Sequence, residues 1–500
     1  MSEPQTLSGQ AGLPVSNPSK SYWLKEPSEK LLGHRTTPEL PASADVVIVG
    51  SGITAAFAAH NLKERKPELN VVMLEAREAC FGATGRNGGH CQPAMYAAPP
   101  HVASFELRTY SYLKSIVEEY SIPCDWHSTS GVHAYYSAPL FDLAKEVIQR
   151  LNESYPDLAA NVAVVNKGVA GSPAYLLEGE RNELTLEGLR IPTAEGAVVQ
   201  WNAASLWPYK LVAFVPASET TSHPAWIVHT PRGHITAKSV LLATNGYTSH
   251  LLPQFADILV PTRHTFYLMG EKGDEGIMRR DDYLVQRPPP LSELILGGGR
   301  QLAKNHAVGV WDDSTIDEPV KWWLRGSLSG AMDLKLRAAP GEIEAEVHRK
   351  HVPHDHQASA EQAISGVDKL HIDIQSAQEA AAAQPNEKAQ QSNNKQDLEA
   401  THEWSGIMGY SRDANPWVGP VPASAGGGEG LWLCAGYTGH GMPNAALCAK
   451  AVAEMMTGLD EVDLPPEYEL TEERLVQVRL RDTVHVAEEK GGLLFDMRAL

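Results

Sequence analysis

"ADVVIVGSGITAAFAAHNLKER", residues Ala44–Arg65, is the stretch that decides the fold. Val46–Val49 is a short apolar run, the composition of a strand buried on both faces. Gly50-Ser51-Gly52 interrupts it with a tight turn. Ala55 to Lys63 then reads as a helix rich in small residues. "NVVMLEA" supplies a second strand, Val71–Leu74, which ends on Glu75. Strand, turn, helix and strand form one βαβ unit, so the two strands are expected side by side and parallel.

The turn has the pattern Gly-x-Gly-x-x-Ala, at Gly50, Gly52 and Ala55. Gly50 permits the turn, Gly52 lets backbone N–H groups approach a pyrophosphate, and Ala55 lets the helix pack close to the strand. The positive end of that helix points at the phosphates. Glu75 stands where a carboxylate can accept hydrogen bonds from both ribose hydroxyls. A close-packed turn with no ligand leaves the acid at the end of the second strand unexplained. The unit therefore reads as dinucleotide-binding.

The chain continues into "EACFGATGRNGGHCQP", Glu78–Pro93. So much Gly-rich backbone has three possible uses: a phosphate cradle, a metal site at His90 and Cys91, or a surface loop. An NAD domain usually proceeds to another strand and helix. Here a helix follows instead, from about His101 to Tyr120, with Phe105, Leu113, Ile116, Val117 and Tyr120 at helical spacing. Further on, the strand Val240–Leu242 breaks at Ala-Thr-Asn-Gly. Near the C-terminus, Leu431–Cys434 runs into a turn with Gly436, Gly439 and Gly441, and Pro443 suits the first turn of a helix.

Composition limits the partners. The 500 residues carry 42 basic and 61 acidic side chains, a net charge of −19, which disfavours nucleic acid and anionic membrane. At 43% hydrophobic and 21% charged the chain is globular, and its length implies two to three domains or subdomains. Five scattered cysteines without a Cys-x-x-Cys pair fit a reducing compartment and no structural zinc. The polar N-terminus has no apolar signal core, and no stretch is long enough to span a membrane, so a cytoplasmic protein is expected.

Together these pieces resemble the D-amino-acid oxidase/glycine oxidase (DAO) family of FAD-dependent oxidoreductases, in a branch similar to the γ-glutamylputrescine oxidoreductase-like proteins. The resemblance rests on "SYWL" (Ser21–Leu24), the βαβ unit, "GATGRNGG", "VLLATNGYT", "DDYLVQRPPP", "ILGGGR", "WSGIMGYSRDANPWVGPVP" and "GYTGHGM". It implies an α/β fold, a Rossmann-like FAD-binding domain with an inserted antiparallel β-sheet substrate domain. The expected division is an N-terminal extension 1–40, a discontinuous FAD domain 41–105, 186–260 and 402–460, and a substrate domain 106–185 and 261–345. A low-complexity insertion 346–401 and a C-terminal segment 461–500 complete it. Residues 216–221 stand where relatives carry a further helix and strand, so the sheet is expected to lack one strand.

Carried over by resemblance, Gly50, Ser51, Gly52 and Glu75 hold the ADP half, with Arg77 near the adenosine. Thr84, Arg86, Asn87 and Gly88 line the pyrophosphate and the flavin ring, with Arg86 supplying charge for the diphosphate. Asn245 and Gly246 lie against the cofactor. Gly439, His440, Gly441 and Met442 approach the pyrimidine end of the flavin. The residues that anchor flavin covalently in some relatives are absent, so non-covalent FAD is expected.

For the substrate site, the strand sequences offer His264 and Tyr410 first, with Arg263 or Arg287 for a carboxylate, and also Tyr267 and Trp404. Alternation lets only about half of them face one site. His348, His351, His354 and His356 read as a solvated loop, and no metal is expected. The leading expectation is oxidation of the C–N bond of a small amine or amino acid, with oxygen or an electron carrier as acceptor. The rivals are a flavin dehydrogenase for a larger non-amine substrate, and an inactive protein of the same fold.

Overall fold

The computed structural model describes residues 9–169, 184–213, 226–266, 282–288, 293–326, 332 and 400–482. The chain divides into two compact units, 1–332 with 399–500, and 333–398. The second lies outside the described residues, as do residues 346–399 of the expected insertion, with its four histidines, and residues 216–221.

Strand β1 (Ser43–Val49) is central because its middle is apolar on both faces: Val46, Val47 and Ile48 are all buried. It pairs in parallel with β2 (Val71–Leu74) on one side and β8 (Gly233–Leu242) on the other, with Val47 opposite Val72 and Val240. β14 (Leu431–Ala435) extends the sheet in parallel beyond β8, and β13 (Trp417–Pro420) closes that edge antiparallel. β7 (Trp226–Thr230) pairs with the first half of β8. Among the described residues β2 is therefore an edge strand.

Helix α1 (Ile53–Arg65) begins directly after the glycine turn. Its small residues Ala55, Ala58 and Ala59 share one core with Ala445, Ala446 and Ala449 of the helix Ala445–Met456. Small side chains let these helices lie close together, and because each follows a parallel strand, β1 or β14, both N-termini lie at the same end of the sheet. Helix α2 (Pro100–Glu119) packs beside them through Phe105, Leu113, Ile116 and Val117. Pro443 precedes the helix Ala445–Met456 instead of opening its first turn.

Among the described residues, two antiparallel sheets complete the fold. One runs β10 (Tyr283–Gln286), β11 (Leu294–Gly297), β9 (Leu259–Phe266), β12 (Trp404–Ser411). In the other, β6 (Gly196–Ser205) pairs with β4 (His127–Tyr135), β5 (Val162–Asn166) and β3 (His90–Cys91). These sheets cut across the expected domain boundaries. β6 falls within 186–260 and β12 within 402–460, yet neither joins the parallel sheet. β6 is buried on both faces as a central parallel strand would be, so its composition does not reveal its partners. All five cysteines are free and buried. No helix of the described residues is long and apolar enough to cross a membrane.

Candidate active site

A cavity of about 1270 Å³ opens where the three sheets converge. At one end it is lined by Gly50, Ser51, Gly52, the start of α1, Glu75, Arg77 and Thr84. Gly50 has φ of +112°, and a Cβ there would stand 2.6 Å from the Ala243 carbonyl oxygen, so glycine is required where β1 meets the β8 turn. Ser51 Oγ donates to Glu75 Oε2 at 2.5 Å, and the Arg77 N–H donates to Glu75 Oε1 at 3.0 Å. The Ile53 N–H donates to Thr84 Oγ1 at 3.1 Å, which ties the Gly-rich loop to the start of α1. The carboxylate at the strand end, the glycine turn and the helix N-terminus fit the ribose and diphosphate of a dinucleotide.

Arg86 has a different surrounding from the one its sequence implies. It is buried and does not line the cavity. Its guanidinium donates to the carbonyls of Phe81 (3.0 Å), Ser405 (2.8 Å) and Ser19 (2.8 Å), and ion-pairs with Asp313 at 3.3 Å. Arg77 reaches the same fully buried carboxylate at 2.9 Å. Burial lowers Arg86 to about 10, opposed by the attraction of Asp313. From this loop Gly82, Ala83, Thr84, Asn87 and Gly88 line the cavity, while Arg86 braces it from behind.

Further along, Asn245, Gly246 and Gly439–Met442 border the cavity. Asn245 Oδ1 accepts from the Gly436 N–H at 3.1 Å, joining the turns after β8 and β14. His440 Nε2 lies 3.0 Å from Oε2 of Glu106, a buried acid on α2. The same carboxylate accepts from the Ala94 N–H at 2.6 Å and Asn444 Nδ2 at 2.9 Å. Glu106 was not anticipated; an acid beside Phe105 on the buried face of α2 was the available signal.

The antiparallel sheets supply the remaining wall. His264 and Tyr410 both line the cavity, with Tyr410 Oη 2.6 Å from His264 Nε2 and the rings stacked. Arg300, buried, lines it too, with its guanidinium 5.0 Å from the centre of the Tyr410 ring. Opposite, Gln92 Nε2 lies 2.8 Å from His133 Nε2, His133 Nδ1 meets Tyr96 Oη, and Tyr96 Oη lies 2.8 Å from Tyr135 Oη. Burial, reinforced by His440, lowers His133 and His90 to about 4 each. His90 Nδ1 is buried without a hydrogen-bond partner among the described residues.

Arg263 does not reach the cavity. Neighbours on a strand point to opposite faces, so with His264 inward Arg263 turns outward and pairs with both carboxylate oxygens of Asp317 at 2.9 Å. Arg287 is buried against Asp125 at 2.7 Å, with its guanidinium near the Trp23 and Trp207 rings. Trp404 donates its indole N–H to the Arg86 carbonyl, and Tyr267 lies outside the described residues. Cys91 is turned into the core, where burial pushes its thiol far up, so it does not share the cavity with His90. Among the described residues no group of histidine, cysteine and acidic side chains is arranged to hold a metal ion.

A nucleotide end continuous with a polar, aromatic-lined end defines a dinucleotide-dependent enzyme class. The family follows from the chain as a whole. The model for the DAO family, described as FAD dependent oxidoreductase, matches residues 45–455, and the protein belongs to that family. Its cofactor is FAD, and the residues of the nucleotide end fit that group. γ-Glutamylputrescine oxidoreductase of Escherichia coli is 30% identical over 223 residues, 41% of this chain and 50% of that protein. The chain thus matches about half the length of that relative. A probable oxidoreductase, OrdL, of Rhizobium meliloti is 23% identical over 85% of this chain and 87% of its own length. Among solved structures, glycine oxidase from Geobacillus kaustophilus superposes with a TM-score of 0.53 at 15% identity, over 86% of this chain and 99% of that one, a likeness of fold.

Proposed function

We propose that this protein oxidises the C–N bond of a small amine or amino acid, with FAD held non-covalently along the cavity from Glu75 to His440. The observation that carries the reading is the wall of His264, Tyr410 and Arg300 in the same cavity as the nucleotide elements. The names of two relatives, γ-glutamylputrescine oxidoreductase and glycine oxidase, support an amine-bearing substrate.

Glu75 accepts the ribose hydroxyls, and backbone N–H groups at the start of α1 and in the Gly82–Gly88 loop meet the diphosphate. Bound FAD supplies the acceptor for a hydride from the carbon beside nitrogen, after which water hydrolyses the imine to a carbonyl. Arg300 takes the carboxylate role first assigned to Arg263 or Arg287: its planar guanidinium suits a substrate carboxylate. Its positive charge also favours the neutral form of an amine in the same cavity, the form that can be oxidised. His264 and Tyr410 fix the polar edge of the substrate. His90 and His133, neutral at pH 7, add no charge to the site, and His133 is held as a neutral imidazole between Gln92 and Tyr96.

The test is anaerobic bleaching of the flavin absorbance across a panel of primary and secondary amines and amino acids. At least one member should bleach it rapidly. A yellow, FAD-loaded protein that no member reduces would overturn the reading. Acid precipitation should leave the flavin in the supernatant, and peroxide measured during turnover decides between oxygen and a carrier.

A further inference from the structure

The matched family region begins at residue 45, yet the segment before it is built into the Gly-rich loop. Its hydrogen bonds to that loop fall on three consecutive residues, Gly85, Arg86 and Asn87. Ser21 Oγ donates to the Gly85 carbonyl at 2.7 Å. The Ser19 carbonyl and hydroxyl accept from Arg86 at 2.8 and 3.2 Å. Trp23 Nε1 donates to the Asn87 carbonyl at 2.5 Å. Trp23 is fully buried, its ring fills the space where a Cβ on Gly89 would stand at 2.3 Å, and its own carbonyl accepts from Trp207 Nε1 at 2.7 Å. Upstream, the Ala11 N–H is held by Ser249 Oγ at 3.0 Å and Pro14 reaches the cavity.

A peptide unit is planar, with its C=O and N–H on opposite sides. Fixing the Asn87 carbonyl on Trp23 therefore fixes the Gly88 N–H on the other side of the same plane, and Gly88 lines the cavity. The Gly85 carbonyl and the Arg86 N–H are related in the same way. A glycine loop left to itself has many backbone states, so something must select the one that presents its donors.

We infer that residues 11–23 are a working part of the cofactor site: Ser19, Ser21 and Trp23 are positioning residues that hold the Gly82–Gly89 loop in its FAD-binding form. Coupling of this kind is reciprocal. FAD must tighten the strap as the strap tightens FAD. The inference rests on the placement of FAD in this cavity made above, and is independent of the substrate.

The experiment is hydrogen–deuterium exchange on the full chain, with and without FAD, reading peptides from 11–24 and from 82–90. Titration of Trp23→Phe and Ser21→Ala with FAD accompanies it. Both peptides should exchange more slowly with FAD. Each variant should raise the FAD Kd by roughly five- to ten-fold, the loss of one hydrogen bond, with unchanged circular dichroism. If FAD protects 82–90 and leaves 11–24 unchanged, or both variants bind FAD as the parent does, the strap inference fails. If bound FAD protects neither peptide, the placement of FAD fails with it. Should Trp23→Phe not fold, Ser21→Ala and the exchange pattern decide.

Discussion

Arg86 stands within the loop expected to hold a diphosphate; Arg300 stands more than two hundred residues away. The nearer arginine in sequence is the one turned away from the cavity, and the distant one lines it. The difference is made by Asp313, a fully buried acid that binds both Arg77 and Arg86. Its single carboxylate holds two guanidiniums, which leaves one net positive charge behind the loop. Arg86 therefore acts on the nucleotide end through loop shape and a field at a distance. Arg300 lines the cavity itself, beside Tyr410, where the proposed function gives it a substrate carboxylate. A charge in a motif specifies a need for a partner, and the partner decides whether that charge serves a ligand or the fold.

The sharpest way to break this contrast is Asp313→Asn. The change keeps shape and removes the charge, leaving two arginines buried without their carboxylate. Breaking a buried pair in this way costs about 3–5 kcal/mol, the largest effect expected here. Urea unfolding of the FAD-free protein measures it, and FAD affinity should fall as the loop loosens. A loss below about 1 kcal/mol would show that Asp313 does not lock these arginines.

The nucleotide end was legible because its parts are local. β1, the turn, α1, β2 and Glu75 fall within about 35 residues, and apolar periodicity and glycine spacing mark each one. α2 was also legible, beginning at Pro100 against an expected His101, because four buried residues repeat at helical spacing. The rest depends on contacts between distant strands. Nothing near Asp313 announces Arg86, and nothing near Ser19 announces the same guanidinium. The choice of His264 over Arg263 depends on which face of β9 meets the cavity, which alternation alone leaves undecided. The division of 186–260 between two sheets was hidden because burial on both faces looks alike in parallel and antiparallel central strands.

A second, smaller effect tests the neutrality assigned to the substrate end. His90 and His133 fall to about 4 in the fold through burial, against about 6.5 in an unfolded chain. Between these values the unfolded state binds more protons, so stability rises with pH across the window and falls as pH drops from about 6.5 toward 4. Above it the two histidines are neutral in both states and contribute no slope. His90→Asn should flatten the dependence of unfolding free energy on pH between about 6.5 and 4, by up to one proton's worth of slope. An unchanged slope in that window would mean that His90 is protonated in the fold.

The smallest effect belongs to Arg263, and it separates it from Arg300. Arg263 is mostly covered, but its partner Asp317 is partly open to solvent, and neither lines the cavity. A pair of this kind contributes at most about 1 kcal/mol, and Arg263→Met retains the aliphatic packing of the stem. Stability should fall by no more than that, and KM and kcat for a carboxylate-bearing substrate should stay within about two-fold, since no ligand contact is removed. Arg300→Met is the reference. It removes a charged hydrogen-bonding group from the cavity, an interaction of about 1.5–3 kcal/mol, so KM should rise by about ten- to one-hundred-fold. Steady-state kinetics on both variants give the comparison directly. If Arg263→Met raised KM while Arg300→Met did not, the face of β9 that meets the substrate would be reversed, and the first expectation for Arg263 would stand in place of Arg300.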